Sequence, residues 1–210
     1  MRAHQIAGIR PRRPKRATTP SPSAPKPPDL LGRRFSPGAP DRAWCSDITY
    51  IRTGEGWLYL AAVSDVGSRR PVGYAMGDRI DTRLVAAALD MAANARAGRT
   101  AGIIFHSDHG SQHLAGKLRN AAAGWGLAQS AGRVGPSADN AAAEAFFSSL
   151  KREPLNRRRY PDRAGARRSI LEWLARYNTH RRHTSLGFPT PAQYELNYRH
   201  TERTNPTLTT

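Results

Sequence analysis

The segment Trp57-Leu58-Tyr59-Leu60-Ala61-Ala62-Val63 is almost wholly apolar, and it follows the turn-forming triplet Gly54-Glu55-Gly56. A run this short and this apolar reads as a strand in a covered sheet. Before the turn, Trp44–Arg52 has the pattern of a strand, and Pro71–Met76 supplies a third. Three consecutive strands with short connections predict an antiparallel meander. The period then changes. Leu84, Val85, Ala88, Leu89 and Ala92 mark one helical face, with Gly98 as its stop. Ile103-Ile104-Phe105 reads as a short buried strand running into His106-Ser107-Asp108. A helix over Leu114–Trp125, a fifth strand at Leu127–Gln129, a loop at Ala131–Ser137 and helices over Ala138–Arg152 and Asp162–Tyr177 complete the order.

Charge divides the chain differently. Residues 1–42 carry ten Lys/Arg against two Asp/Glu, residues 43–149 ten against nine, and residues 150–210 thirteen against five. A nearly neutral middle between two strongly basic flanks suits a core that meets a polyanion, and nucleic acid is the commonest one. A solubilising tail or a membrane-surface segment would carry a similar charge. Residues 1–39 are rich in Arg, Lys, Pro, Ser and Thr and read as a basic, semi-extended linker, with order beginning near Ala43. Residues 40–198 form the expected core with a C-terminal helical extension, and 199–210 a polar tail. The single cysteine, Cys45, excludes an internal disulfide and a cysteine-based zinc site. No signal peptide or membrane-length apolar run is evident, so a cytoplasmic, nucleoid-associated protein without a membrane partner is expected.

Three carboxylates stand out. Asp47 lies mid-strand, where an unpaired charge is costly to bury; the ordinary alternative is pairing with a nearby donor. Asp108 lies where a buried strand ends, and such ends open into ligand crevices in α/β sheets; the alternative is a cap on the next helix. Glu144 sits in the helix Asp139–Phe147, with Asn140, Phe147, Ser148 and Lys151 on its side, while Ala142, Phe146 and Leu150 take another; taken alone it reads as an ordinary surface residue. Together, two carboxylates from strands and one from a helix across them can converge. Such a cluster raises its own pKa values unless cations neutralise it. Magnesium suits it, because the ion prefers oxygen ligands and keeps sites for water and phosphate.

At these residues the chain resembles transposases of the IS-three group of insertion sequences, which carry a retroviral-integrase-like core. The matching segments are Asp47–Ile51, Gly56–Ala61, His106–Gln112, Asp139–Ala141, Glu144–Phe147, Leu150–Glu153 and Tyr177–Gly187 followed by Thr190-Pro191. Sixty residues separate Asp47 from Asp108 and thirty-five separate Asp108 from Glu144, the latter being the family's Asp-Asp-Glu spacing. The resemblance implies an α/β, ribonuclease-H-like fold: a mixed five-stranded sheet, three antiparallel strands then parallel ones, flanked by helices. It implies that Asp47, Asp108 and Glu144 are catalytic and hold two Mg2+ ions, with Mn2+ as a substitute. The implied reaction frees a 3′-hydroxyl at the element's end and joins it to another DNA phosphate. Lys151 and Asn140 are implied DNA contacts, and Arg181, Arg182 and His183 are expected at backbone phosphates. His109 and His113 depart from the family's usual Arg and Tyr, and the loop Ser130–Pro136 lacks the usual methionine.

DNA at the element's ends and target, and further copies of the chain, are the implied partners. Family members carry helical DNA-binding segments before the core, of which only a basic stub near Ile6–Arg10 is recognisable. This predicts either a truncated remnant or a product completed by a partner subunit or a frameshift fusion. Two other functions stay open: a non-catalytic DNA-binding remnant that inhibits intact transposase, and a ribonuclease-H-like nuclease that cuts without joining.

Overall fold

β2 (Gly56–Asp65) is the interior antiparallel strand of the sheet. Its Leu58, Leu60, Ala61, Ala62 and Val63 are all buried, because helices cover both faces of a strand in this position. The computed structural model describes residues 27–32, 35, 36, 38–107, 116–132, 141–155 and 158–204, with the backbone alone at 141 and 142. β1 (Ala43–Thr53) and β3 (Pro71–Gly77) flank β2, both antiparallel to it. β4 (Ile104–Ser107) pairs parallel with β1, and β5 (Ala128–Ala131) parallel with β4. The order β3-β2-β1-β4-β5 is the mixed five-stranded sheet that the sequence predicts.

Helix α1 (Thr82–Ala95) starts where the Asp81 carboxylate accepts the Leu84 amide, and it ends where Gly98, at φ +71°, donates back to the Ala93 carbonyl. The predicted face Leu84, Val85, Ala88, Leu89 and Ala92 is buried against Trp44, Ala61, Val63 and Phe105. Contact with β3 is so close that a Cβ at Gly73 would stand 2.2 Å from the Ala88 carbonyl oxygen. α2 (Gly116–Gly124) joins this layer through Leu118 and Ala122; the expected start of that helix at Leu114 lies outside the described residues.

The opposite face carries α3 (Ala141–Arg152) and α4 (Arg163–Thr179). Ile51, Leu58, Leu60 and Ala62 meet Phe146, Phe147, Leu150, Ile170, Trp173 and Leu174 there. Phe147, expected on the polar side of its helix, is buried beside Phe146. The helix touches both the sheet and α4, so a wider stripe is covered than one sheet contact requires. The predicted positions 138–140 and most of the loop 131–137 lie outside the described residues, and Ala131 ends β5.

Two expectations change. Order begins well before Ala43. The stretch from Pro27 has no helix or strand, but the Pro28 carbonyl accepts the Ala131 amide at 3.3 Å, and the Leu30 amide donates to Ser130 Oγ at 3.0 Å. Leu31 is buried with Ala43, Cys45, Val66 and Ala143. At the other end, α5 (Pro191–Thr204) runs into the expected polar tail. Its anchor is Glu195, only 2% exposed. Glu195 meets Arg96 Nη2 at 2.6 Å, Arg70 Nη1 at 2.6 Å and Ser68 Oγ at 3.0 Å, and Arg96 also bonds Asp41 at 2.8 Å. Burial pushes the Glu195 carboxyl up, but Arg96 and Arg70 outweigh it and hold it below the usual range.

Removing one partner strands the others' charge in the interior. Glu195→Ala is expected to cost about 3–5 kcal/mol of unfolding free energy in urea, and Glu195→Ala with Arg96→Met to cost less than the two single losses added. A loss below about 1 kcal/mol would mark the cluster as an exposed-type pairing.

Candidate active site

β1 is paired with β2 along its whole length, from Trp44 opposite Asp65 to Thr53 opposite Gly56. Against β4 it is paired only from Ala43 to Ser46, where Ser46 meets Ser107. Beyond Ser46 that edge of β1 has no strand beside it among the described residues. Asp47 is the first residue past this point. Asp108, next in the chain after Ser107, lies outside the described residues, as do Asn140, His109 and His113.

Strand alternation puts Cys45, Asp47, Thr49 and Ile51 on one face. α3 crosses that face: Ala143 packs with Ala43 and Cys45, and Phe146, Phe147 and Leu150 pack with Ile51. Glu144, one residue after buried Ala143, is exposed in the first turn of α3, and partial burial pushes its carboxyl above the usual range. Asp47 is half-buried, and its Oδ1 accepts the Ile48 amide at 2.7 Å. Burial lowers the Lys151 ammonium from its ordinary value, and the nearby Asp47 charge opposes that shift. Lys151 Nζ stands 5.4 Å from the centre of the Tyr50 ring. Asp47 and Lys151 are thus close enough for their charges to interact, and Glu144 lies two turns before Lys151 on α3, the helix that crosses the Asp47 face. Among the described residues no three His, Cys, Asp or Glu side chains form a cluster able to hold a metal; the third predicted carboxylate is the undescribed Asp108.

The tail is arranged differently from the basic face that its sequence suggests. Arg181 forms an ion pair with Glu153, whose other oxygen accepts Trp173 Nε1 at 2.6 Å. It also lies over the Tyr177 ring, and so braces the end of α3 against α4. His183 stacks edge-on to Tyr177 at 5.0 Å, beside a cavity of 370 Å3 shared with Phe35, Asp65, Arg69 and Arg181. Burial, then Arg181 and Arg69, depress its pKa to about 4, so at neutral pH it offers no positive charge to a phosphate. Of the three, Arg182 alone is exposed.

An integrase core domain model matches residues 37–137, and a second model of the same description matches 126–191. The chain is 42% identical to an uncharacterized 31 kDa protein of insertion element IS600 from Shigella sonnei, over 87% of this chain and 68% of that one. It is 36% identical to the transposase InsF for insertion sequence IS3A from Escherichia coli, over 80% of this chain and 58% of that one. The chain belongs to the IS3 group of integrase-core transposases. It spans between about three fifths and two thirds of the length of these relatives.

Solved structures place the fold of this IS3-group chain among retroviral integrase cores. A simian T-cell lymphotropic virus intasome superposes with TM-score 0.64 at 16% identity, over 84% of this chain and 60% of that one. The HTLV-2 integrase catalytic core in complex with magnesium, in its trimeric form, gives 0.56 at 13% identity, over 76% and 99%. The ribonuclease-H-like fold expected from the sequence is thereby shown.

Sequence reasoning missed the Glu195–Arg96–Arg70 clamp and the structural use of Arg181. Neither leaves a local signal, since the partners lie 99, 125 and 28 residues apart. It also passed over Tyr50 and Trp57, whose exposure beside Lys151 depends on the sheet.

His183 makes a pH prediction. A depressed folded pKa contributes stability that is present above the ordinary 6.5 and is lost as pH falls toward about 4. Buried Asp65, pushed up to about 6, works in the opposite direction and is common to wild type and variant. Thermal unfolding at pH 7 and pH 4.5 is expected to show a smaller acid-induced drop in His183→Gln than in wild type. Equal drops would mean that the ring is protonated freely in the fold.

Proposed function

We propose that this chain carries the catalytic centre of a DNA transposase, which cleaves at the 3′ end of an insertion sequence and joins that end to a target strand. The observation that supports this reading is that α3, which bears Glu144 and Lys151, crosses the face of β1 that holds Asp47 where β4 stops and β1 continues; this place is the proposed crevice. Cleavage and joining are both in-line phosphoryl transfers: water attacks in the first, the freed 3′-hydroxyl in the second. Neither needs a covalent enzyme intermediate.

Asp47, Asp108 and Glu144 would hold two Mg2+ ions, or Mn2+ in their place. The donors fit: carboxylate oxygens are hard ligands, Glu144 is exposed, and Asp47 is half-buried on the face that α3 crosses. The HTLV-2 core, of like fold, was solved with magnesium. When bound, two such ions supply charge stabilisation to the attacking and leaving oxygens. The protein's own part is to fix the phosphate. Lys151 supplies a cation beside Asp47, and its partial desolvation strengthens its attraction for an anion. Asn140, preceding α3, is assigned to the same phosphate or to the loop before it. Arg182 is the exposed cation of the tail suited to a backbone phosphate, while Arg181 and His183 act by holding α4 and the turn after it in place.

The basic flanks would gather DNA over the neutral core, with a second copy or an additional DNA-binding part, as a partner subunit or a fused segment, supplying end recognition. No described helix is long and apolar enough to cross a membrane, and a cytoplasmic, nucleoid-associated location suits this reading. Non-catalytic DNA binding is the competing outcome.

Asp47→Asn, Asp108→Asn and Glu144→Gln are each expected to lower Mg2+-dependent strand joining at least about 10²-fold, an effect of the size seen when one transition-state stabiliser is removed. DNA binding should persist with an unchanged dependence on salt. Binding without joining in wild type, in either metal, would support the non-catalytic reading of this chain.

A further inference from the structure

Two large aromatic rings stand in water on the face of the β1–β2 hairpin opposite Asp47, where Lys151 reaches one of them. Tyr50 is 42% exposed and Trp57 44%, although Trp44 on the same strand as Tyr50 is fully buried. The rings meet edge to face, with centres 5.2 Å apart. Tyr50 lies three residues beyond Asp47 on β1, about 10 Å along the strand, on the part of β1 that β4 no longer flanks. Both rings lie past the end of a neighbouring strand: β4 stops opposite Ser46, and β3 pairs with β2 only from Tyr59 onward.

The support beneath the rings is stiff. The hairpin tip is tied to the start of α4 by Gly54 donating to the Tyr160 carbonyl at 2.9 Å and by the Arg163 amide donating to Glu55 at 2.9 Å. Arg163 Nε donates to the Trp57 carbonyl at 3.1 Å. The charge around the rings is mostly positive. Lys151 Nζ sits over Tyr50, exposed Arg52 pairs across the ladder with Trp57, and Arg163 lies behind. Glu55 is the acid at the tip and already accepts from Arg163.

A preorganised aromatic pair bordered by cations, one of which (Lys151) also lies near Asp47, is complementary to an unpaired nucleotide: the π-face takes the base and the cation takes the phosphate. We propose that Tyr50 and Trp57 form a stacking platform for an unpaired nucleobase at the DNA end, while Lys151 takes the phosphate attached to it. This inference rests on the transposase reading for its DNA end. Because every base has a π-face, the platform is tolerant of sequence. It captures a frayed end and positions it; it does not read which element is bound. An acidic protein partner would meet the same cations but has no reason to distinguish frayed from blunt DNA ends.

The test uses the full chain without divalent metal and two DNA probes: a blunt duplex, and the same duplex with a two-nucleotide unpaired extension carrying 2-aminopurine. Wild type should bind the extended probe more tightly than the blunt one and quench its fluorescence. Tyr50→Ala and Trp57→Ala should each lose about tenfold in affinity for the extended probe, within the range for one stacked base, and lose the quench, with blunt-duplex affinity unchanged. Tyr50→Phe should keep both, and Tyr50→Leu, which keeps bulk without the aromatic face, should lose both. Quenching and affinity unchanged in both alanine variants, or equal losses on the two probes, overturn the platform. Failure of the transposase reading shows elsewhere, as absent metal-dependent joining by wild type, so the two failures are separable.

Discussion

The structure depends on an inequality between two neighbours of one strand. β1 is held by β2 over ten registered pairs but by β4 over four, so its second half carries an open edge inside an otherwise covered sheet. A backbone edge normally invites another strand. Here α3, which carries Glu144 and Lys151, crosses the face of β1 that holds Asp47. Without the long hairpin with β2 the extended half of β1 would be held only near its end, by the bridge of Thr53 to Tyr160. The hairpin is further secured at its tip by Gly54, where a Cβ would stand 2.3 Å from the Pro161 carbonyl oxygen.

Charge is managed in two ways in the same small molecule. At the end of the sheet away from the crevice, carboxylates are buried and fully engaged: Asp65 accepts from the Asp41 amide and from both the amide and hydroxyl of Ser68, and Glu195 from two arginines. These interactions fasten α5 to the sheet and give little to solvent. At the crevice the charged groups are only partly covered, and burial shifts both Glu144 and Lys151 toward their neutral forms. Groups left in that condition gain most from an incoming ligand of opposite charge. The difference separates charge used for architecture from charge available for binding. Arg181 and His183, which the sequence presents as members of a basic run, also make contacts within the fold, Arg181 with Glu153 and His183 with Tyr177.

The elements were legible because each is written in a short window. Alternation and a glycine turn mark the β1–β2 hairpin, a five-residue apolar stripe marks α1, and Asp81 and Asp162 cap their helices through local bonds to the residues three ahead. Boundaries moved by a residue or two where packing extended an element, as α4 did to Thr179. The segment from Pro27 was harder. Its proline-rich composition argues for a linker, and only the contacts of Leu31 with Cys45 and Val66, far along the chain, show that its end is docked.

The sequence alone determined the family and the fold: an ordered set of motifs shared with a known family, a basic pair of flanks around a neutral core, and an element order compatible with a single fold. Composition and local period settle these, since they depend on residue type and short separation. Tertiary structure decided which charges remain available. Whether an arginine meets phosphate or Glu153, whether a histidine titrates near 6.5 or near 4, and whether a tyrosine is core or surface all depend on neighbours many residues away. Desolvation and pairing are properties of a position in space, and no window of sequence contains them.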